Sequence, residues 1–173
     1  MSMDFFSNNC KHSSNKRKFG LCDPIDPNGN TALPAYLDEE NGEDWIATVL
    51  NNSEQDVDFF AIDHCVNFQQ ETRKCDGMLL SDNMIAFVEL KSRTGPSKAW
   101  LDDGEEQLEK TIRLFNEQNQ TDDIKNIPHK IAYIANKARP RSRTNQSIRM
   151  EKFLERTEYR LLIKATIDLH EDI

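Results

Sequence analysis

Residues 75–91 read Cys75-Asp76-Gly77-Met78-Leu79-Leu80-Ser81-Asp82-Asn83-Met84-Ile85-Ala86-Phe87-Val88-Glu89-Leu90-Lys91. Two apolar runs flank Ser81-Asp82-Asn83, residues suited to a tight reversal, so the segment predicts a β-hairpin with strands over 72–80 and 84–91. Residues two apart on a strand share a face, which places Glu89 beside Lys91. Asp76 lies on the partner strand, where pairing can bring its carboxylate close to that of Glu89. Charges that close a strand as apolar as Ile85-Ala86-Phe87-Val88 are costly without a purpose. Two carboxylates and one backbone carbonyl make a hard oxygen site suited to Mg²⁺. A lysine beside them can orient or help deprotonate an attacking water. The structural alternative is a strand-end ion pair of Glu89 with Lys91 or Lys74.

Outward from the hairpin, Asp56–Val66 is rich in β-branched and aromatic residues and predicts a strand. Before it, the pattern from Asp38 reads as a helix, with acids first and Trp45, Ile46, Val49 and Leu50 on one face, stopping at Asn51-Asn52. Residues 1–37 read as an irregular segment packed on the domain, with turn chemistry at Asp26-Pro27-Asn28-Gly29. After the hairpin, Leu101, Leu108, Ile112 and Phe115 mark an amphipathic helix from about 101 to 119. A short buried strand at 130–135, a helix near 148–156 and a last strand over 159–169 follow. The order is α-β-β-β-α-β with a C-terminal α-β, one α/β domain over 38–173.

The 173 residues suit one domain with a real core, and 37% of them are hydrophobic. No run approaches a membrane span, and the N-terminus has no signal-peptide stretch. The four cysteines are far apart, so they read as reduced thiols of a cytoplasmic protein. The net charge of −8 excludes a general nucleic-acid coating protein. That charge is uneven. Residues 21–72 hold twelve acids and no Lys or Arg, whereas Lys137, Arg139, Arg141, Arg143 and Arg149 crowd an acid-free strip. Such a strip can bind a phosphate backbone locally; its bland alternative is a solvated loop.

The stretch from Cys75 to Lys91, with an acidic helix before it and a glutamine-bearing helix after it, resembles the PD-(D/E)XK nuclease superfamily. The resemblance implies a restriction-endonuclease-like core, a mixed central β-sheet flanked by helices, and covers about residues 38–136. It departs from the pattern at Cys75, where proline is commonest. It implies Asp76, Glu89 and the Leu90 carbonyl as ligands of Mg²⁺, with Mn²⁺ able to substitute, and Lys91 serving the water. A first-helix acid, Glu43 or else Glu40, and Gln107 on the later helix are implied as further catalytic residues. Acids in a first turn otherwise favour the helix dipole, and a helix glutamine is commonly just exposed.

The implied activity is metal-dependent hydrolysis of phosphodiester bonds in DNA, in a restriction, phage-defence (antiviral) or repair setting. The basic strip would bind the nucleic acid, and Lys98 and Trp100 could add a charge and a stacking surface. The competing reading is a non-catalytic interaction subunit that docks a protein partner, or a second copy, through the acidic 21–72 surface. Zinc is not expected: Cys10, His12 and Cys22, with His64 or Cys65, lack paired ligand spacing. No nucleotide-binding glycine motif occurs.

Overall fold

The computed structural model describes residues 3–24, 33–68, 72–138 and 145–173. Its centre is the hairpin read from the sequence: β6 (Gly77–Leu80) and β7 (Met84–Lys91) pair antiparallel, with Leu80 opposite Ile85 and Gly77 opposite Val88. β7 has the bounds expected of it, and all eight of its residues are buried. Burial on both faces explains why its sequence is a continuous apolar run rather than an alternation.

β5 (Val57–Ala61) continues the antiparallel ladder beyond β6, and β1 (Lys11–Ser14) pairs with β5 at the edge. On the other side, β8 (His129–Asn136) and β9 (Arg160–Ile163) run parallel to β7, giving a mixed six-stranded sheet. Parallel neighbours need a long connection. The β7–β8 crossover is supplied by α1 (Ser97–Gln118) and the short α2 (Asp122–Lys125), and α3 (Ser147–Thr157) links β8 to β9.

The two faces of β7 pack against different partners. Ile85 and Phe87 meet Trp100, Leu101, Leu108, Ile112 and Phe115 of α1, with Phe153 of α3. Met84, Ala86, Val88 and Leu90 instead pack with Phe19, Leu21, Ala47, Val49 and Ile167. Those residues belong to a second sheet, four-stranded, in the order β10 (Thr166–Asp168), β4 (Ala47–Leu50), β2 (Lys18–Cys22) and β3 (Tyr36–Asp38). The fold is α/β, with helices over one face of the large sheet and a small mixed sheet over the other.

Four expectations are corrected here. The stretch from Asp38 is not a helix: β3 ends at Asp38 and β4 begins at Ala47. Asp38 Oδ2 accepts the Glu40 and Asn41 amides and the Trp45 indole N–H at 2.6 Å, a side-chain-nucleated turn that outcompetes helix formation. Trp45 then covers Gly20, where a Cβ would fall within the indole ring. Second, the N-terminal segment is not irregular throughout, since β1 and β2 contribute one strand to each sheet. Third, the final strand is two, β9 and β10, split between the sheets. Fourth, Cys10 and Cys65 form a disulfide, whereas Cys22 and Cys75 are buried free thiols. The bridge also removes two of the candidate zinc ligands. The turn expected at Asp26-Pro27-Asn28-Gly29 lies outside the described residues. Among the described residues, no helix is long and apolar enough to cross a membrane.

Candidate active site

Asp76 precedes β6 by one residue, just beyond the Gly77–Val88 pair at which the β6–β7 register ends, and it lines the same cleft as Glu89. The Asp76 amide donates to the Val88 carbonyl at 3.1 Å, and the Ile62 amide donates to the Asp76 carbonyl at 2.9 Å. Asp76 is therefore clamped between β5 and β7. The next residue must be glycine: a Cβ on Gly77 would run into the Phe59 ring and the Phe60 carbonyl. Glu89 and Lys91 continue the face of β7 that Ile85 and Phe87 turn toward α1, and so the charges gather where the apolar helix contact ends.

All three charged groups are buried, with Asp76 8%, Glu89 2% and Lys91 7% exposed. Lys91 Nζ lies 2.7 Å from Glu89 Oε1 and 2.9 Å from both Asp103 Oδ2 and Gln107 Oε1. Burial alone would lower its pKa; the carboxylates of Glu89 and Asp103 outweigh that and raise it, so Lys91 is a fixed ammonium. Asp103 also pairs with Arg73, and these two cations hold its pKa below the ordinary value despite burial. Gln107 is a positioning residue: its Nε2 donates to the Lys74 carbonyl at 2.9 Å while Oε1 receives the Lys91 ammonium. One turn later Thr111 Oγ1 accepts the Cys75 amide, so α1 fixes the approach to Asp76 at two points.

The carboxylates are under strain of charge. Asp76 Oδ2 accepts the Leu90 amide at 2.6 Å, yet burial and the Glu89 charge push the Asp76 pKa well above the usual range. Burial raises Glu89 to about 7 even with Lys91 alongside. Glu89 Oε2 is buried with no hydrogen-bond partner among the described residues. A buried carboxylate oxygen without a donor is costly, and a hard cation is the group that would satisfy it while relieving the repulsion between Asp76 and Glu89. The donor set thus fits Mg²⁺ or Mn²⁺. Among the described residues, no three acid, histidine or cysteine side chains already converge on one point.

The cleft at this edge has a volume of about 310 Å³ and brings together Asp76, Glu89, Leu90, Lys91 and Gln107, with Asp23, Asp63 and Arg93 also lining it. The first-helix acids are not there: Glu40 and Glu43 are exposed in the β3–β4 connection, which is not helical. Asp23 and Asp63 come from strand ends distant in sequence, so nothing local marked them. Asp103 was legible in principle, being one helical turn from Gln107.

The basic strip divides. Lys137 is exposed and donates to the Glu43 carbonyl. Arg149 pairs with Asp102 and Glu105 of α1, a structural tie between α1 and α3 rather than a free phosphate ligand. Arg139, Arg141 and Arg143 lie outside the described residues. Trp100 is buried in the α1 core and offers no stacking surface. Comparison with family models, with curated proteins and with solved structures finds no match.

Proposed function

We propose that this protein is a divalent-metal-dependent nuclease of the PD-(D/E)XK type, a restriction-endonuclease-like enzyme that hydrolyses phosphodiester bonds in DNA. One observation carries the reading: Asp76 and Glu89, at the open end of one hairpin, line a cleft together with Lys91 and Gln107, in the order that family uses. The missing first helix is a departure from that family's core, and the acid it would carry is supplied from elsewhere or not at all.

Asp76, Glu89 and the Leu90 carbonyl would hold Mg²⁺, with Mn²⁺ as a substitute. The ion supplies polarisation of the phosphate and a more acidic attacking water. Lys91, locked as an ammonium by Glu89, Asp103 and Gln107, acts as a preorganised positive charge, not as a base. Its three N–H groups are taken up by these three partners, so Lys91 contributes a fixed positive charge beside the phosphate rather than a hydrogen bond to it. Lys137 and the arginines that follow it in sequence, Arg139, Arg141 and Arg143, would supply sequence-independent phosphate contacts.

The test is incubation of the purified chain with supercoiled plasmid, linear duplex and single strands, in Mg²⁺, Mn²⁺ or EDTA. Metal-dependent cleavage that EDTA abolishes is expected. Stable binding of a protein partner with no cleavage in any metal would favour the interaction subunit instead.

A further inference from the structure

Two cationic side chains line the cleft among the described residues, Lys91 and Arg93, and they differ in what they have left to offer. Lys91 is fully engaged, its three N–H groups taken by Glu89, Asp103 and Gln107. Arg93 is exposed, and its guanidinium makes no hydrogen bond or ion pair among the described residues. Four carboxylates line the same cleft, yet none of them pairs with it. Arg73, Arg149 and Arg156, by contrast, are each tied to acids of α1.

While its side chain is unpaired, the Arg93 backbone is fixed. β7 and β8 run parallel and end together, with Lys91 in register with Asn136. Asn136 is buried, and its whole side-chain amide serves the segments that leave the two strands. Oδ1 accepts the Arg93 amide at 3.3 Å and the Ala138 amide at 3.0 Å, and Nδ2 donates to the Arg93 carbonyl at 3.0 Å. The Lys137 amide donates to the Lys91 carbonyl at 2.8 Å and extends the β7–β8 ladder by one bond. A buried amide that grips both backbone groups of one exposed residue gives the unpaired guanidinium a fixed base at the cleft wall. In open α/β sheets ligands gather at the carboxyl ends of the strands, which is where β7 presents Arg93.

We propose that Arg93 is the phosphate-binding residue of this cleft, its guanidinium taking the oxygens of a phosphodiester while Asn136 positions its backbone. A guanidinium presents its donors as a planar fork that matches two phosphate oxygens at once, a contact that a fully engaged lysine cannot make. Arg93 thereby supplies the hydrogen bonds, and Lys91 the fixed charge beside them. That the phosphate belongs to a nucleic acid rests on the nuclease reading; the anion site itself does not require cleavage. Free phosphate carries the same chemistry, so the two sources are tested separately.

The test compares the full-length wild type with Arg93→Ala, Arg93→Lys and Arg113→Ala. Asn136 bonds only the backbone of Arg93, so both Arg93 variants keep that clamp and should fold. Arg113 is an exposed arginine of α1 outside this cleft and controls for general charge. Fluorescence anisotropy over a salt series, in EDTA and again in Ca²⁺, reads the affinity for labelled single-stranded and duplex DNA oligonucleotides. Calorimetry in EDTA reads the affinity for inorganic phosphate. Arg93→Ala is expected to weaken DNA binding by about tenfold or more and to flatten its salt slope by about one. Arg93→Lys should recover part of that affinity, because the charge stays and the fork is lost. Arg113→Ala should match wild type. Wild-type affinity and slope in Arg93→Ala, or an equal loss in Arg113→Ala, would overturn the site and leave any metal-dependent cleavage by wild type standing. Wild type that binds neither DNA nor phosphate would overturn it too. DNA binding that depends on Arg93, without cleavage in Mg²⁺ or Mn²⁺, would uphold the site and defeat the nuclease reading. Arg93-dependent binding of phosphate without binding of DNA would do the same, and would assign the site to the free anion.

Discussion

Glu89 is the residue on which stability and chemistry meet. Its folded pKa is raised from 4.5 to about 7, first by burial. A carboxyl raised on folding stabilises the native state below its unfolded pKa and loses that contribution as pH climbs through the folded value. Metal-free protein should therefore lose stability between pH 4.5 and about 7, on the order of 3 kcal/mol from this group. Asp76, also raised, extends the loss in the same direction. Thermal melts in EDTA should give a higher Tm near pH 5 than near pH 8, and saturating Mg²⁺ should flatten the difference. A Tm that rises with pH in EDTA would show that the pair is not strained. Lys91→Met keeps the buried stem but removes the ammonium, and should lower cleavage by about a hundredfold or more. Glu89 then titrates higher still, so the variant's melts should shift further toward acid stability.

Among the elements, β7 was legible residue for residue because its apolar run is uninterrupted and its closing charges are anomalous for a buried strand. α1 was legible through its 3.6-residue apolar spacing, although it begins earlier, at Ser97. The stretch from Asp38 was misread for a definite reason. Its apolar spacing suits a helix, but the Asp38 carboxylate satisfies the turn amides and the Trp45 indole, and that contact depends on Gly20 being small. β1 and β2 are too short and too polar at one end to signal strands locally; their partners, Asp58 for Ser13 or Thr48 for Gly20, lie more than twenty residues away. The close approach of Phe59 to Gly77 gives an element-scale prediction. Gly77→Ala should destabilise the fold by about 2 kcal/mol or more through overpacking between β5 and β6. Gly95→Ala, where a Cβ meets nothing within 4 Å, should be nearly neutral in the same denaturation experiment.

At the scale of the whole molecule, the cleft is assembled from sequence-distant pieces: the exit of β2, the turn after β5, the entry of β6, the end of β7 and one face of α1. The Cys10–Cys65 bridge spans 55 residues and ties one of those pieces, the turn after β5, to the start of β1. Closing a loop of that length stabilises by about 4 kcal/mol in the chain-entropy description. Cys10→Ser/Cys65→Ser should consequently lower the Tm by several degrees, and added dithiol should have the same effect on wild type but none on the variant. Equal melting of wild type and variant would mean that the bridge contributes nothing to the fold. The distant acids Asp23 and Asp63 were illegible for the same reason the site exists at all: only the folded sheets bring them to Asp76.

Asp76, Glu89 and Lys91 are proposed above as a metal-dependent phosphodiesterase site. It is tested most directly by the initial rate of plasmid cleavage in Mg²⁺ for wild type and Asp76→Asn, each checked for a native melt. Cleavage by wild type is expected, with a loss of about a hundredfold or more in Asp76→Asn and the melt retained. Wild type that cuts no DNA in Mg²⁺ or Mn²⁺, or a folded Asp76→Asn that cuts at the wild-type rate, would contradict it.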